Sequence, residues 1–247
     1  MSEPPFLSIV VPAYDEARRL PRTLDSLREF GREFTRTWEV LIVVEHSTDD
    51  TLAIAVGAAR KQENFLAIDN GPQRGKGHAV RSGMLRARGD HVFYMDADLS
   101  VPLAEISAFL AHFAAHPEVE VLVGNRQHAR SRIVRRQSAL REGMGNTFNR
   151  LLQTLGLASL LDTQCGFKAF RQPAAREIFS RQKLDGFAFD VEVLLLAQRL
   201  RFHIADLPVE WRNSADSRVR LVRDSLAMLR DLARVRRLVD DALRDRV

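Results

Sequence analysis

The chain has 247 residues, of which 45% are hydrophobic and 28% charged, a composition typical of a globular protein long enough for one domain with a substantial core. The formal net charge is +5 and arginine carries most of the positive charge, which favours anionic partners such as phosphates, nucleic acid or a membrane surface. Cys165 is the only cysteine, which excludes an intramolecular disulfide and a thiolate metal cluster.

Strands and helices alternate along the first half of the chain. Short apolar runs predict strands at residues 6–11, 40–44, 65–68, 92–95 and 119–123. Helical spacing and helix-start signals predict helices at 18–34, 49–60, 74–89 and 103–115. Because these strands are too uniformly apolar to face water, we expect a mostly parallel sheet covered by helices on both faces.

The second half of the chain is less regular. Residues 126–141 are dense in arginine, residues 162–170 predict a turn and a strand, and residues 202–209 predict a strand. Helices are predicted at 143–157, 188–200 and 219–243. The last helix has a basic face and an apolar stripe, made of Leu221, Leu229, Leu232, Val235, Val239 and Ala242. We expect this stripe to pack on the domain, with contact to anionic lipid as the alternative.

The chain shows no signal for membrane insertion. No apolar run approaches the roughly 18 to 20 residues that a membrane span needs, and residues 1–5 are short and polar. We therefore expect no signal peptide and a cytoplasmic protein, with peripheral contact at the inner face of the membrane as an alternative.

Two aspartates follow the fourth predicted strand. Asp96 and Asp98 are separated by one residue, and in an extended chain they would point to the same face. Such a pair suits Mg²⁺ or Mn²⁺, which bind through one or two carboxylates plus substrate phosphates. The alternative is a pair of surface turn acids. Because ligands bind beyond the carboxyl ends of parallel strands, we expect residues 12–16, 45–49 and 96–100 to line one crevice, which favours the metal site.

Four blocks in this order resemble the family 2 glycosyltransferases with the GT-A fold, and more narrowly their dolichyl-phosphate glucosyltransferase and mannosyltransferase branch. The blocks are Val10-Val11-Pro12-Ala13-Tyr14-Asp15-Glu16, Gly75-Lys76-Gly77-His78-Ala79-Val80-Arg81, Asp96-Ala97-Asp98-Leu99 and Asp162-Thr163-Gln164-Cys165-Gly166-Phe167-Lys168. The resemblance covers about residues 6–232 and implies a single α/β domain over 1–247. Its parts would be a nucleotide-sugar-binding half at 6–125, an acceptor half at 126–217 and a C-terminal basic amphipathic helix at 218–247.

The resemblance also implies roles for individual residues. The nucleotide sugar would contact Pro12, Tyr14, Glu16, Glu45, Gly75, Lys76, Arg81 and Asp96; the metal would bind Asp98 and Asp96; and Asp96, Asp98, Asp190, Lys168 and Arg126 would form the catalytic group. Arg135, Arg141 and Arg218 are further basic candidates.

Two positions depart from the family pattern. The second strand of the family usually ends in two aspartates, whereas this chain has Val44-Glu45, so Glu45 either substitutes with a different reach or is a solvent-facing acid. A glutamine often follows two residues after the second acid of the metal pair, and here that residue is Ser100.

The implied activity is metal-dependent, inverting transfer of a hexose, expected to be glucose from UDP-glucose, to a polyprenyl phosphate. A phosphate acceptor needs no general base, whereas a soluble hydroxyl acceptor, the alternative, needs one. Asp190 and Glu192 are the available acids, but on a helix they lie about 200° apart, so only one is expected to face the site. A second alternative is a sugar-nucleotide-binding protein with little turnover. Nucleic acid is not expected as a partner, because the arginines are dispersed and no nucleic-acid motif is present.

Overall fold

The computed structural model of the chain describes residues 3–135, 162–212 and 221–244. The helix predicted at 143–157 lies outside these ranges, as do Arg141, Arg218 and the side chain of Arg135. The strands are β1 (Leu7–Ala13), β2 (Trp38–Val44), β3 (Phe65–Asp69), β4 (His91–Met95), β5 (Val119–Asn125), β6 (Arg132–Arg135), β7 (Phe167–Arg171), β8 (His203–Pro208) and β9 (Glu210–Arg212). The helices are α1 (Leu20–Glu33), α2 (Thr51–Ala59), α3 (Lys76–Arg86), α4 (Glu105–Ala115), α5 (Gln172–Arg181), α6 (Phe189–Arg199) and α7 (Leu221–Arg244).

A mixed sheet of seven strands forms the centre of the fold, in the order β3-β2-β1-β4-β7-β5-β8. Every neighbouring pair is parallel except the two pairs made by β7, which runs antiparallel to both β4 and β5. The expected mostly parallel sheet is therefore confirmed. The reversed strand was not anticipated, because its partners β4 and β5 lie far upstream in the sequence.

Alternate residues of each central strand enter two different hydrophobic cores. Val10 and Tyr94 belong to the core under α3, α5, α6 and α7, whereas Ile9 and Phe93 belong to the core under α1, α2 and α4. All four side chains are fully buried. This double burial explains why the strands read as continuous apolar runs rather than as alternating patterns.

Three features of the fold were not predicted. Helix α5 follows β7 directly, and a small parallel pair of β6 and β9 stands apart from the main sheet. Pro12 does not end β1, because the strand continues to Ala13, which pairs with Val44. Strands as short as the three-residue β9 give too little sequence pattern to be recognised.

The apolar stripe of the C-terminal helix packs on the domain, as expected. Leu232, Val235, Val239 and Ala242 are at most 4% exposed, and the first three join the core next to α6. Leu229 was wrongly assigned to the stripe, since its side chain is 49% exposed. Within the described ranges, no helix is both long and apolar enough to cross a membrane.

Candidate active site

The ends of β1, β2 and β4 meet at one edge of the sheet, because these strands are parallel neighbours. The loop after β1 is tied to the loop after β2: the Asp15 amide donates to Ser47 Oγ at 3.1 Å, and the Glu16 amide donates to Thr51 Oγ1 at 2.7 Å. The Thr23 hydroxyl of α1 donates to the carbonyl of Ala97, in the loop after β4. These contacts confirm that the three loops line one crevice.

Backbone strain is concentrated at this edge. Asp15 and Leu99 have φ angles of 50° and 52°, a left-handed conformation that non-glycine residues rarely adopt. The carboxylate of Asp15 holds the conformation by accepting hydrogen bonds from the amide and hydroxyl of Thr48. Such strain costs about 1–3 kcal/mol at each residue and persists mainly at functional sites.

The two metal-site aspartates lie on a turn rather than on an extended strand. The Leu99 amide donates to the Asp96 carbonyl at 3.3 Å, so the expectation that the acids share a face of an extended chain is wrong. The Asp98 carboxylate instead accepts a hydrogen bond from the Ser100 amide at 2.9 Å, which fixes its orientation. Asp96 forms an ion pair with an ammonium group, and Asp98 adds to the negative charge around that group.

That ammonium group belongs to Lys76, at the start of α3. Its Nζ lies 2.5 Å from Asp96 Oδ1, and its side chain is 18% exposed. Burial works to lower the pKa of Lys76, but the carboxylates of Asp96, Asp190 and Asp98 outweigh it and raise the pKa above its usual value. The crevice therefore holds a fixed cation against the acid pair, at the point where a metal–diphosphate complex is expected.

The carboxylate oxygens of Asp96 and Asp98 fit a hard divalent cation whose remaining coordination positions are filled by the substrate. Both acids offer carboxylate oxygens and are partly exposed to the crevice. In the described parts of the chain, no group of three or more His, Cys, Asp and Glu side chains could enclose a metal ion alone. The arrangement matches Mg²⁺ or Mn²⁺ held by one or two carboxylates together with substrate phosphates.

Gly166 provides the space for the Asp96 side chain. A Cβ atom at this glycine would lie 2.1 Å from Asp96 Oδ2. Because the obstructing atoms are the end of a side chain rather than backbone, a larger residue would displace the carboxylate without disrupting the fold.

We therefore expect Gly166→Ala to weaken Mn²⁺ binding about 10- to 100-fold, the usual effect of losing a group that orients a metal ligand, while thermal unfolding changes little. Isothermal titration with Mn²⁺ and UDP, together with a melting curve, measures both quantities. Gly57→Ala is the matched control, since nothing lies within 4 Å of a Cβ at that helical glycine. An unchanged affinity in Gly166→Ala would show that the position of Asp96 does not matter for the metal.

Glu45 is buried beneath the loop that begins α3. Its side chain is 2% exposed and accepts hydrogen bonds from the Gly75 amide at 3.0 Å and from His78 Nδ1 at 2.9 Å. The solvent-facing alternative for Glu45 is therefore wrong. Gly75 has φ = 135°, and a Cβ there would meet the Asp185 carbonyl at 2.5 Å, so the loop requires glycine at this position. A base-reading role for Glu45 stays a prediction; its observed contacts fix the loop that presents Lys76.

Asp190 and Lys168 form a buried ion pair below the acid pair. Lys168 Nζ donates to Asp190 Oδ1 at 2.6 Å and to the Cys165 carbonyl at 2.7 Å, and the Tyr94 hydroxyl donates to the same carboxylate oxygen at 2.5 Å. Lys168 is fully buried. The Lys168 ammonium is therefore not exposed to the crevice in this conformation, and the catalytic role expected for Lys168 stays a prediction. Lys168 positions Asp190.

Glu192 points away from Asp190, as the helical geometry of α6 predicts. Its carboxylate accepts hydrogen bonds from the amides of Lys183 at 2.8 Å and Leu184 at 2.7 Å. The two acids of this helix therefore serve different purposes: Asp190 faces the site and Glu192 fixes the segment between α5 and α6.

Burial raises the pKa of Glu192 to about 7, even though its hydrogen bonds to backbone amides act in the opposite direction. The folded state then retains a proton that the unfolded state releases, so this group stabilises the fold most below pH 4.5 and progressively less as the pH rises to 7. We expect the free energy of unfolding of the wild type, relative to Glu192→Gln, to fall by about 3 kcal/mol across that range. Urea titrations at several pH values measure it, with Glu177→Gln as the control, and a pH-independent difference would contradict it.

Arg126 is paired with the first acid of the fourth sequence block. Its Nε and Nη2 donate to the Asp162 carboxylate at 2.7 Å and 2.8 Å, and its guanidinium lies 5.5 Å from the centre of the Trp211 ring. Burial works in the opposite direction, but Asp162 and, among other acids, Asp96 raise the pKa of Arg126 further above its usual value. Arg126 is therefore held by Asp162 and Trp211, and its role toward the diphosphate stays a prediction.

The remaining candidates divide between the crevice and its surroundings. Pro12 and Tyr14 are partly buried at the end of β1, next to the loops that line the crevice. Glu16 accepts a hydrogen bond from Arg19 Nε at 2.6 Å, so its carboxylate helps to fix the start of α1. Arg81 donates from Nε to the Phe179 carbonyl at 3.2 Å and so lies against the end of α5. Contact of these side chains with a nucleotide stays a prediction.

Three partners of the site were not identified from the sequence. Tyr94 and His78 read as ordinary core and helix residues, and no local pattern distinguishes them. Asp162 does have a signal, because it opens the fourth sequence block. Its partner Arg126 lies 36 residues earlier, so their pairing becomes visible only in the fold.

Comparisons with known proteins agree with this geometry. A family model described as Glycosyl transferase family 2 matches residues 8–179. Similar curated proteins include the dolichyl-phosphate beta-glucosyltransferase of Dictyostelium discoideum, which is 33% identical over 94% of this chain and 74% of its own length. The same enzyme of Saccharomyces cerevisiae is 32% identical, again over 94% of this chain and 74% of its own length.

Solved structures extend the likeness to the fold. A glucosyl-3-phosphoglycerate synthase from Mycobacterium tuberculosis, in complex with Mn²⁺, UDP-glucose and phosphoglyceric acid, gives a TM-score of 0.70 at 18% identity and covers 96% of this chain and 80% of that one. A mannosyl-3-phosphoglycerate synthase from Rubrobacter xylanophilus gives 0.67 at 18% identity, covering 98% and 75%. These likenesses confirm the GT-A fold expected from the sequence.

Proposed function

The chain belongs to glycosyl transferase family 2, and we propose that it transfers glucose from UDP-glucose to the phosphate of a polyprenyl phosphate, with the help of Mg²⁺ or Mn²⁺ and with inversion at the anomeric carbon. The similar dolichyl-phosphate beta-glucosyltransferases support the transferred sugar, the acceptor class and the β-linkage. The ion pair of Lys76 with Asp96, two residues before Asp98 at the end of β4, is the structural observation that carries the proposal.

The acid pair and Lys76 provide the charge balance that departure of the nucleotide requires. Asp96 and Asp98 would hold the divalent cation, which supplies Lewis-acid stabilisation of the leaving diphosphate when it is bound. The Lys76 ammonium neutralises Asp96 before the donor arrives. Asp96 would then be shared between the cation and Lys76, and the Lys76 ammonium would supply a second positive charge for the diphosphate.

Because Lys76 and the divalent cation would compete for Asp96, a specific result is expected for Lys76→Met. We expect Mn²⁺ alone to bind about two- to fivefold more tightly to the variant, because the partly exposed ion pair that competes for Asp96 is lost. UDP-glucose should bind less tightly, because its diphosphate loses a cationic partner. The electron paramagnetic resonance signal of free Mn²⁺ gives the first affinity and calorimetry the second, with Lys61→Met as the control. Weaker binding of Mn²⁺ alone would rule out the competition.

The environment of Asp190 favours a phosphate acceptor. The Asp190 side chain is only 6% exposed and its Oδ1 accepts hydrogen bonds from Lys168 and Tyr94, so the carboxylate is poorly accessible to a hydroxyl acceptor. A phosphate monoester is already an oxyanion near neutral pH and needs no such base. Asp190 can then act through its charge and position, as part of the wall beneath Asp96 and Lys76.

A donor screen by thermal shift tests the proposal. A ligand that binds the folded state raises stability by RT ln(1+[L]/Kd), so the true donor should give the largest shift. We expect UDP-glucose with Mn²⁺ to exceed GDP-mannose with Mn²⁺, and the shift to shrink when a chelator removes the metal. A larger shift with GDP-mannose would change the donor, and equal shifts with and without metal would reject the role of the acid pair.

A further inference from the structure

A second basic pocket lies at the opposite edge of the sheet from the crevice, and we propose that it binds a small phosphate-bearing anion. The pocket has a volume of about 520 Å³ and is lined by Arg88, Asp90, His91, Arg171 and Arg176, together with the first residues of α5. This volume lies within the range of small-molecule sites, about 300–1,000 Å³.

The strand register separates this pocket from the nucleotide crevice. His91 opens β4 and pairs with Arg171, which ends the antiparallel strand β7, so both residues lie at the same edge. Asp96 follows the other end of β4, and the five residues of the strand place it about 13–17 Å away at 3.3 Å per residue. A ligand in this pocket is therefore distinct from the sugar nucleotide.

Contacts within the protein fix the position of Arg171 without neutralising its positive charge. Arg171 Nε and Nη2 donate to the carbonyls of Val119 and Phe113, both at 2.8 Å, and its guanidinium lies 5.0 Å from the Phe113 ring centre. These acceptors are neutral, so they orient the guanidinium without cancelling its charge. A rigid guanidinium is the preferred partner for phosphate, which it can bind through two parallel hydrogen bonds.

The other two arginines stand at the mouth of the pocket. Arg88 is paired with Glu39 but its side chain remains 55% exposed. Arg176 is exposed, and within the described residues no hydrogen bond or ion pair engages it. Three guanidiniums face two carboxylates here, those of Asp90 and Glu39, so the neighbourhood keeps an excess of positive charge.

The imidazole of His91 forms part of the pocket wall. Its ring lies between Phe6 and Phe113, with centroid distances of 4.8 Å and 5.2 Å, and these contacts fix its orientation. The N-terminal turn of the ten-residue helix α5 adds a dipole that favours an anion.

Inorganic phosphate is the probe that tests the proposal. We expect saturable binding by calorimetry in the wild type that weakens about tenfold or more in Arg176→Gln, because a charge-assisted hydrogen bond is lost. Arg230→Gln, an exposed arginine of α7, is the matched control and should bind like the wild type. Lys76→Met identifies any phosphate bound in the crevice instead, since it leaves this pocket intact.

The results of these titrations either support the proposed pocket or overturn it. Loss of binding in Arg176→Gln but not in Lys76→Met supports the pocket, whereas loss in Lys76→Met alone, equal binding in all variants, or no saturable binding overturns it. Phosphatidylcholine vesicles with and without phosphatidate then identify the source of the phosphate. Arg176-dependent binding to phosphatidate vesicles identifies a lipid headgroup, and phosphate binding without vesicle binding identifies a free phosphate ester. Transfer activity without phosphate should be unchanged in Arg176→Gln, because that residue lies outside the crevice.

Discussion

Asp98→Asn is expected to lower the rate of glucose transfer about 10³-fold, because the charge that would hold the cation on the leaving diphosphate is lost. The substitution keeps the shape of the side chain, and its remaining oxygen can still accept the hydrogen bond from the Ser100 amide. The loop after β4 should therefore keep its conformation, and thermal unfolding should match the wild type. The measurement is the initial rate with saturating donor, accompanied by an Mn²⁺ titration.

Asp25→Asn provides the control for this substitution. Asp25 lies on α1 and is paired with Arg28 at the protein surface, and its side chain is 73% exposed. The control should retain full activity and full affinity for Mn²⁺. If Asp98→Asn also kept its activity, the acid pair would be a structural turn and the proposed metal site would be in the wrong place.

Lys168→Met is expected to destabilise the fold by about 3–5 kcal/mol, the cost of leaving a buried charge without its partner. Lys168 has no exposed surface and Asp190 is only 6% exposed, so water cannot replace the lost ammonium. Urea denaturation followed by circular dichroism measures the change. Lys61→Met, an exposed lysine, should change stability little.

A double variant separates stability from activity at this pair. Asp190→Asn removes the unpaired charge and still offers an oxygen to the Tyr94 hydroxyl. We therefore expect Lys168→Met/Asp190→Asn to be clearly more stable than Lys168→Met alone, yet still poorly active, because the carboxylate near the acid pair is gone. If the double variant were no more stable than the single one, desolvation of the charge pair would not explain the loss.

Most of the nucleotide-binding half follows from local sequence pattern. The strands there are continuous apolar runs, and helical spacing or a start signal marks the helices between them. Element order, a parallel sheet and the meeting of the loops after β1, β2 and β4 could therefore be anticipated. What local pattern cannot supply is pairing across long sequence distances. Strand β7 inserts in reverse between β4 and β5, and nothing in residues 167–171 specifies those neighbours.

The candidate site shows the same division. The positions of Asp96 and Asp98 follow from the end of a strand, whereas the orientation of each basic residue depends on a distant partner. Lys168 follows a turn and resembles a surface cation in the sequence, but the fold buries it against Asp190, 22 residues further on. The sequence leaves two interpretations of Glu45 open. Its hydrogen bonds with His78 and the Gly75 amide, 33 and 30 residues away, decide between them.

Transfer of labelled glucose to a short-chain prenyl phosphate, compared with the matching prenyl alcohol, tests the central proposal most directly. With UDP-glucose and Mn²⁺ we expect product only from the phosphate, because the Asp190 carboxylate is almost fully buried and an oxyanion acceptor requires no base. Nuclear magnetic resonance of the product should show a β-linked glucosyl phosphate. Transfer to the alcohol but not to the phosphate, or an α-linked product, would contradict the account.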